Sequence, residues 1–170
     1  KVDHEIELKL VMPNDAQDVF DMIDHNREHL REWLGWVDIS TDISVTYQMI
    51  DINLMKFANH EALDTAIVYN GKIVGKVSIN AINPANKTAQ IGYMLDEKYE
   101  GRGIVTRAVK AMTDIALFEY DLHKVEIWAA EGNKKSRAIP ERLGFVQEGM
   151  IRSAEWLYDR YVDHVIYGVL

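Results

Sequence analysis

Apolar residues recur at helical spacing in the first third of the chain. This spacing predicts a helix over residues 13–26, with Asn14 as its N-cap, and a second short helix over residues 27–37. Ser44 is placed to cap a third helix whose apolar residues fall on one stripe. The N-terminal part is therefore expected to be helical after one short strand over residues 5–11.

The apolar period then changes to two, which indicates strands. Two β-rich runs flank Asn70-Gly71, and this dipeptide between such runs is the strongest short hairpin signal. Residues 88–96 are predicted to form a third antiparallel strand, and residues 104–118 an amphipathic helix followed by a buried strand over 124–130. Because a strand-helix-strand crossover normally returns in the same direction, strands 88–96 and 124–130 are predicted to be parallel.

The last part of the chain is predicted to contain one short helix and two strands. The helix starts at Asn133 and ends at Gly144, where the missing side chain suits a left-handed C-cap. Pro140 removes one internal hydrogen bond and is expected to kink this helix or to end it early. Strands over residues 146–158 and 160–170 close the chain.

Composition and charge limit the classes of function. The chain has 170 residues, 48% of them hydrophobic, and no Pro/Gly/Ser-rich linker, so one domain over residues 1–170 is expected. A formal net charge of −8 argues against a nucleic-acid surface and favours a cationic partner, such as an amine or a basic peptide. The lack of cysteine excludes disulfides and thiolate nucleophiles. No apolar run approaches the ~20 residues of a membrane span, and no signal peptide is evident, so a cytoplasmic location is expected.

The stretch YEGRGIVTRAV, residues 99–109, places Gly101 and Gly103 between a predicted strand and a predicted helix. Glycine lets the chain turn so that several N–H groups point into one concavity at the helix N-terminus, where the dipole favours an anion. The alternative interpretation is a tight turn that needs positive φ. The stretch lacks the Lys-Ser/Thr of a Walker loop and the third glycine of a Rossmann fingerprint.

Three stretches resemble one enzyme family. KYEGRGIVTRAV is similar to the acetyl-CoA motif of Gcn5-related N-acetyltransferases, Arg/Gln-x-x-Gly-x-Gly/Ala, with Lys98 where Arg or Gln is usual. NKKSRAIPERLGFVQEGMIR and NREHLREWLGWV resemble segments of a subgroup, the ribosomal-protein N-terminal acetyltransferases. The resemblance covers nearly the whole chain. It implies an α/β fold with a twisted, mixed and mostly antiparallel sheet, flanked by helices, whose two central parallel strands splay apart.

The resemblance implies acetyl-CoA as co-substrate. The pantetheine arm would enter the cleft between the splayed strands, and the pyrophosphate would lie on the amides of residues 99–104. The residues implied to bind the coenzyme are Met94, Leu95, Lys98, Tyr99, Glu100, Gly101, Arg102, Gly103, Ile104, Asn133 and Ser136. Arg102 and Arg107 either add positive charge at the phosphates or are solvated cations at a helix end.

Acetyl transfer to an amine needs a base for the ammonium proton, a stabilised oxyanion and a donor to the leaving thiolate. The family pattern gives the donor role to Ser136, beside Asn133; the alternative is that both residues only start a helix. Glu155 is the implied base, acting through a water, and the alternative is a solvated strand carboxylate. Tyr93 and Tyr158 are further candidates for an acid or relay.

The implied function is acetyl-CoA-dependent acetylation of a primary amine, above all the N-terminal residue of a ribosomal protein. Trp33 and Trp36 would line the acceptor groove, unless they are core residues. The alternatives are acetylation of a small amine (a polyamine, an aminoglycoside or an amino-acid derivative) and a regulatory module that binds acetyl-CoA without turnover. No metal is expected, and Asp163 is assigned to holding the terminal hairpin rather than to a metal site with His164. Members of the subgroup often dimerise, so a homodimer is a further expectation.

Overall fold

One seven-stranded sheet organises the molecule, of which a computed structural model describes residues 1–170. The strands are β1 (Ile6–Leu10), β2 (Leu63–Tyr69), β3 (Lys72–Asn83), β4 (Thr88–Leu95), β5 (Lys124–Ala130), β6 (Val146–Leu157) and β7 (Arg160–Val169). They lie in the order β1-β2-β3-β4-β5-β7-β6, and only β4 and β5 are parallel. The prediction of a mixed, mostly antiparallel sheet is confirmed.

Helices cover both faces of the sheet. They are α1 (Ala16–Asp24), α2 (Arg27–Arg31), α3 (Ile43–Ala58), α4 (Ile104–Asp114), which a π-helical turn extends over Ile115–Glu119, and α5 (Lys134–Arg142). On β2, Ala66 packs with α1 and α3 while its neighbour Ile67 packs with α4, because successive side chains of a strand point to opposite faces. None of the helices is long and apolar enough to cross a membrane.

The two parallel strands separate along their length, as predicted. Pairing between β4 and β5 begins at Thr88 with Lys124 and ends at Ile91 with Ile127. Beyond that point, residues 92–95 pair only with β3, and residues 128–130 only with β7. The backbone edges that face each other across this opening are therefore available to a ligand.

The predicted N-cap of the first helix is wrong. Asn14 lies inside a 3-10 turn, Pro13–Asp15, and Asp15 is the residue that precedes α1. The buried carboxylate of Asp15 accepts a hydrogen bond from the Met12 amide (2.9 Å) and pairs with the Lys9 ammonium on β1. These contacts with residues three and six positions earlier in the chain fix the start of the helix at Asp15.

Two further helix predictions are wrong at their ends. Asp42, with an extended backbone (φ −133), is the N-cap of α3, and the Ser44 hydroxyl donates to its carboxylate at 3.0 Å. The second helix ends at Arg31, so Trp33 and Trp36 lie in the loop after α2 and not on a helix. Their rings contact residues of other elements, and this packing outweighs the helical spacing that connects them in the sequence.

The turn predictions are confirmed. Asn70 and Gly71 both have positive φ (47 and 84), as a two-residue hairpin between β2 and β3 requires. Gly144 has φ +80 just after α5, as a left-handed helix end requires. Pro140 lies inside α5 and does not end it.

Candidate active site

The loop between β4 and α4 presents a continuous row of unpaired backbone N–H groups. The amides of Lys98, Tyr99 and Glu100 donate within the loop, to Asp96 Oδ1 (3.0 Å), Asp96 O (3.0 Å) and Glu97 O (3.2 Å). The amides of residues 101–106 donate to no group of the chain. The available N–H groups therefore begin at residue 101, later than the sequence indicated, and continue into the first turn of α4.

Gly101 and Gly103 shape this row of amides. Both have positive φ (+77 and +69), so the requirement for a tight turn is real, and Gly103 is the N-cap of α4. A Cβ added at either position would meet nothing within 4 Å. The tight turn and the anion-binding concavity are therefore compatible interpretations of the two glycines. The left-handed turn leaves an open concavity, lined by amides, at the positive end of a helix dipole.

Arg107 braces the loop from behind. Its guanidinium donates to Gly103 O (Nε, 3.3 Å) and Arg102 O (Nη2, 3.1 Å), and pairs with Asp3 (2.8 Å) and Glu5 (3.2 Å). Its charge is thus balanced by two carboxylates, while the loop carbonyls are held toward it and away from the open concavity. Arg102 is exposed and has no carboxylate within 4.0 Å, so its charge is the freer of the two.

The side chain of Glu100 connects this loop to two helices. Its carboxylate pairs with His29 on α2 (3.0 Å) and with Lys135 on α5 (2.9 Å). Lys98 is exposed beside it. Glu100 therefore holds the loop in place with its side chain, and Lys98 is free to meet an anion.

Ser136 lies in the first turn of α5, where the sequence placed it. The Asn133 side chain is the N-cap of α5 and accepts a hydrogen bond from the Ser136 amide at 3.2 Å. The Tyr93 hydroxyl donates to the Ser136 carbonyl at 2.8 Å, and the Ser136 hydroxyl donates to the Tyr93 oxygen at 3.1 Å. Tyr93, on the separated end of β4, therefore holds both the backbone and the side chain of Ser136.

Pro140 explains why the Ser136 carbonyl is available to Tyr93. In a regular helix this carbonyl would accept from the amide four residues later, and Pro140 has no N–H. Burial raises the pKa of Tyr93 to about 12, although its hydrogen bond with Ser136 acts in the other direction. At neutral pH the phenol is therefore protonated and acts as a hydrogen-bond donor.

Glu155 lies on β6 and contacts His164 on β7, a residue outside the predicted site. Its Oε1 is 3.3 Å from His164 Nε2 on β7, and a Cβ at Gly35 would be 3.7 Å from its Oε2. The Glu155 side chain is 37% exposed, so water reaches it. The register of the β6–β7 hairpin explains this contact. Glu155 pairs with Val162, and His164 lies two residues further along β7, on the same face of the sheet.

Two other polar residues of this hairpin have structural contacts. The Tyr158 hydroxyl donates to the Leu34 carbonyl, and the Arg31 guanidinium lies 3.8 Å from the centre of its ring. The Asp163 carboxylate accepts from the Ser153 amide at 2.7 Å, which confirms that it holds the hairpin. Tyr158 thus braces the loop after α2 against the turn between β6 and β7.

The two tryptophans are half-buried and lie apart from each other. The Trp33 ring packs over Gly132, where a Cβ would be 3.2 Å away, and Trp36 lines a cavity between α1, α3 and the sheet.

No hydrogen bond joins Ser136 to Glu155. The structure therefore gives a pair of hydroxyl groups on β4 and α5 (Tyr93 and Ser136), a carboxylate paired with an imidazole on β6 and β7 (Glu155 and His164), and a row of free amides at the start of α4. These can hold an anion, donate to a leaving group and accept a proton.

Comparisons with known proteins agree with this chemistry. Residues 5–146 match the family model of the acetyltransferase (GNAT) domain. The chain is 32% identical to the putative ribosomal N-acetyltransferase YdaF of Bacillus subtilis (strain 168), over 100% of this chain and 93% of that protein.

Two solved structures have the same fold over the whole chain. RimL, a ribosomal L7/L12 alpha-N-protein acetyltransferase in complex with coenzyme A, has a TM-score of 0.97 at 27% identity, over 100% of this chain and 96% of that one. The microcin C7 self-immunity acetyltransferase MccE, with acetyl-CoA and AMP, has a TM-score of 0.95 at 33% identity, over 100% and 94%. The chain belongs to the GNAT family and is an acetyl-CoA-dependent N-acetyltransferase.

Proposed function

We propose that the acceptor is the N-terminal α-amino group of a protein, and specifically of a ribosomal protein. The observation that carries this proposal is the carboxylate of Glu155, which is accessible to water and paired with His164, and which can therefore act as the base. Freeing an α-amine of pKa ~7.7–8.0 at pH 7 costs about 1 kcal/mol, whereas a lysine of pKa ~10.4 costs about 4–5 kcal/mol, so a weak base suffices for the α-amine. The names of YdaF and RimL support the ribosomal acceptor. Such an acceptor implies a cytoplasmic location.

The proposed coenzyme site follows the amide row. The pyrophosphate would accept from amides within residues 101–106, with Arg102 and Lys98 adding positive charge. Pantetheine would lie along the part of β4 that no longer pairs with β5, beside Met94 and Leu95. Asn133 would contribute indirectly, because its side chain caps α5.

Each reacting group has a proposed role. Acetyl-CoA supplies the thioester that the amine attacks. Glu155 takes the ammonium proton through a water, and His164 fixes the orientation of the carboxylate. Ser136 turns its hydroxyl from Tyr93 to the leaving sulfur, and Tyr93 keeps its hydrogen bond to the Ser136 carbonyl during this rotation.

The coenzyme site predicts a specific effect of Gly103→Ala. The new Cβ would enter the open concavity, so acetyl-CoA should bind about 10-fold more weakly or worse, as measured by calorimetric titration. Gly144→Ala is the matched control, because Gly144 also has positive φ (+80) and open space around it. Both variants should lose about 1–2 kcal/mol of stability from the left-handed backbone, but only Gly103→Ala should lose affinity. Equal affinities in the two variants would leave the tight turn as the only role of Gly103.

A panel of acceptors tests the proposed function. Peptides with a free N-terminal Ser or Ala, the same peptides with a blocked N-terminus, and spermidine are incubated with acetyl-CoA, and products are detected by mass. We expect acetylation of the free peptides only. Faster acetylation of spermidine than of any free peptide would overturn the proposal, and so would acetyl-CoA binding with no acceptor-dependent release of thiol.

A further inference from the structure

The guanidinium of Arg107, in the first turn of α4, is bound on two sides. Its Nε and Nη2 donate to the carbonyl oxygens of Gly103 (3.3 Å) and Arg102 (3.1 Å). Its Nη1 donates to the carboxylates of Asp3 (2.8 Å) and Glu5 (3.2 Å), in the segment that leads into β1. Arg107 therefore joins this segment to the loop between β4 and α4.

The two bound carbonyls fix the direction of two backbone N–H groups. A trans peptide unit is planar, and its C=O and N–H groups point in opposite directions. The Arg102 carbonyl shares a peptide unit with the Gly103 amide, and the Gly103 carbonyl shares one with the Ile104 amide. Both amides belong to the row that donates to no group of the chain. Because Arg107 holds both oxygens, both N–H groups point away from it, on the side of the open concavity.

The glycines of this loop make such support necessary. Gly101 and Gly103 have left-handed backbones (φ +77 and +69), and glycine reaches many other conformations at little steric cost. A loop without support would present its N–H groups in many directions, and ordering them on binding would reduce the affinity for an anion. A planar guanidinium suits the task, because its donors keep fixed directions toward several oxygens at once.

The contacts of the guanidinium argue against a direct role at the phosphates. Each of its three nitrogens has a partner, and two carboxylates balance its charge. Asp3 is itself fixed, because its Oδ1 accepts from the amides of Glu5 and Ile6, both at 2.8 Å, while its Oδ2 meets Arg107. Arg107 is thus placed to orient the loop and not to meet an anion with its own charge.

We propose that Arg107, held by Asp3 and Glu5, is a positioning residue of the coenzyme site, and that it strengthens pyrophosphate binding by orienting the amides of Gly103 and Ile104. The inference rests on the proposed coenzyme site, because it requires the pyrophosphate to lie on the amide row. It extends that site to the segment before β1, which acts from behind the loop without touching the coenzyme.

Arg107→Lys tests this role. Lysine keeps the positive charge, but a single ammonium cannot hold two carbonyls and two carboxylates in fixed directions. We expect acetyl-CoA to bind about 10-fold more weakly, and S-acetylpantetheine, which has no pyrophosphate, to bind as it does to the wild type. Direct calorimetric titration measures the first affinity, and displacement titration measures the second. Wild-type affinity for acetyl-CoA would overturn the proposal, and so would equal weakening for both ligands, because a general structural role affects both.

Asp3→Asn tests the same role from the other side of the guanidinium. Asparagine keeps one oxygen for the Glu5 and Ile6 amides, but it presents an NH₂ group to Arg107 in place of the second oxygen. The loss of a negative charge by itself favours an anion. We nevertheless expect acetyl-CoA to bind about 3-fold more weakly, because Arg107 is held less firmly. Asp18→Asn, at an exposed position of α1, is the matched control for charge. An affinity of Asp3→Asn equal to or above that of Asp18→Asn would contradict the role of Asp3.

Gly103→Ala distinguishes failure of this inference from failure of the proposed coenzyme site. If Gly103→Ala weakens acetyl-CoA binding and Arg107→Lys does not, the coenzyme site stands and the role of Arg107 is wrong. If neither substitution weakens binding, the pyrophosphate does not lie on the amide row, and the coenzyme site and the role of Arg107 are both wrong.

Discussion

Replacing Ser136 by alanine is expected to lower the turnover number about 100-fold or more while the affinity for acetyl-CoA changes little. A donor to the leaving sulfur acts mainly in the transition state, so its loss lowers kcat rather than binding. Release of the coenzyme thiol gives kcat, and calorimetric titration gives the affinity. Ser44→Ala is the control, because Ser44 is exposed and its hydroxyl donates its hydrogen bond to Asp42, away from the candidate active site.

The contacts of Tyr93 sharpen this prediction. Tyr93→Phe removes both hydrogen bonds to Ser136, so it should also lower turnover, but it should add little in the Ser136→Ala background. Wild-type turnover of a folded Ser136→Ala enzyme would reduce Ser136 to a residue that starts α5. Full additivity of the two substitutions would show that Tyr93 acts independently of Ser136.

Glu155→Gln is expected to reduce turnover at neutral pH by about 10²-fold while both substrates still bind. Glutamine keeps the size of the side chain and removes the basic site, and general-base catalysis typically contributes about 10²–10⁴-fold. The loss should depend on pH and on the acceptor. Raising the pH toward ~9 should restore much of the rate for an α-amine of pKa ~7.7–8.0 and much less for a lysine of pKa ~10.4, because only the former is then neutral.

Three controls separate a base from a carboxylate that only attracts a cationic acceptor. Loss of attraction would raise KM and weaken with added salt, whereas loss of a base lowers kcat. Glu7→Gln removes one exposed carboxylate on β1 and should leave kcat unchanged. His164→Asn should lower kcat in the wild-type background and add nothing to Glu155→Gln, because His164 acts through that carboxylate. Full turnover of Glu155→Gln across pH 6–8, with chemistry rate-limiting, would show that another group takes the proton.

Local sequence determined much of the sheet. The Asn70-Gly71 turn, the parallel return of β5 and the left-handed turn at Gly144 each follow from a short-range rule of backbone geometry, and each is confirmed. Gly101 and Gly103 were recognisable for the same reason. Their left-handed backbone and the helix that follows are properties of a few consecutive residues.

Side-chain contacts across turns and strand ends could not be predicted from such rules. Asp15, and not the predicted Asn14, is the residue that precedes α1, and its carboxylate is held by the Met12 amide and by Lys9 on β1. The amides available in the coenzyme loop depend on which carbonyls the turn at Asp96 brings within reach. The contact of His164 with Glu155 needs the exact register of a hairpin that contains a bulge, and a single sequence does not fix that register.

The cavity that Trp36 lines could not be predicted from the sequence either. Its wall combines residues of α1, α3, three strands and the loop that carries Trp36, so no continuous motif describes it. The hydrogen bonds between Ser136 and Tyr93 likewise join α5 to β4. The one sign of them in the sequence is Pro140, which has no N–H and so leaves the Ser136 carbonyl without its helical partner.

A competition experiment within one peptide distinguishes acetyl transfer to an α-amine from transfer to a lysine. A peptide that carries both a free N-terminal serine and an internal lysine is incubated with the enzyme and acetyl-CoA at pH 7. The acetylated position is found by fragmentation mass spectrometry, and released thiol is measured in the same sample. We expect one thiol released for each acetyl group transferred, with the acetyl group on the α-amine and none on the lysine. Acetylation of the lysine in preference to the α-amine, or release of thiol that does not depend on the peptide, would contradict it.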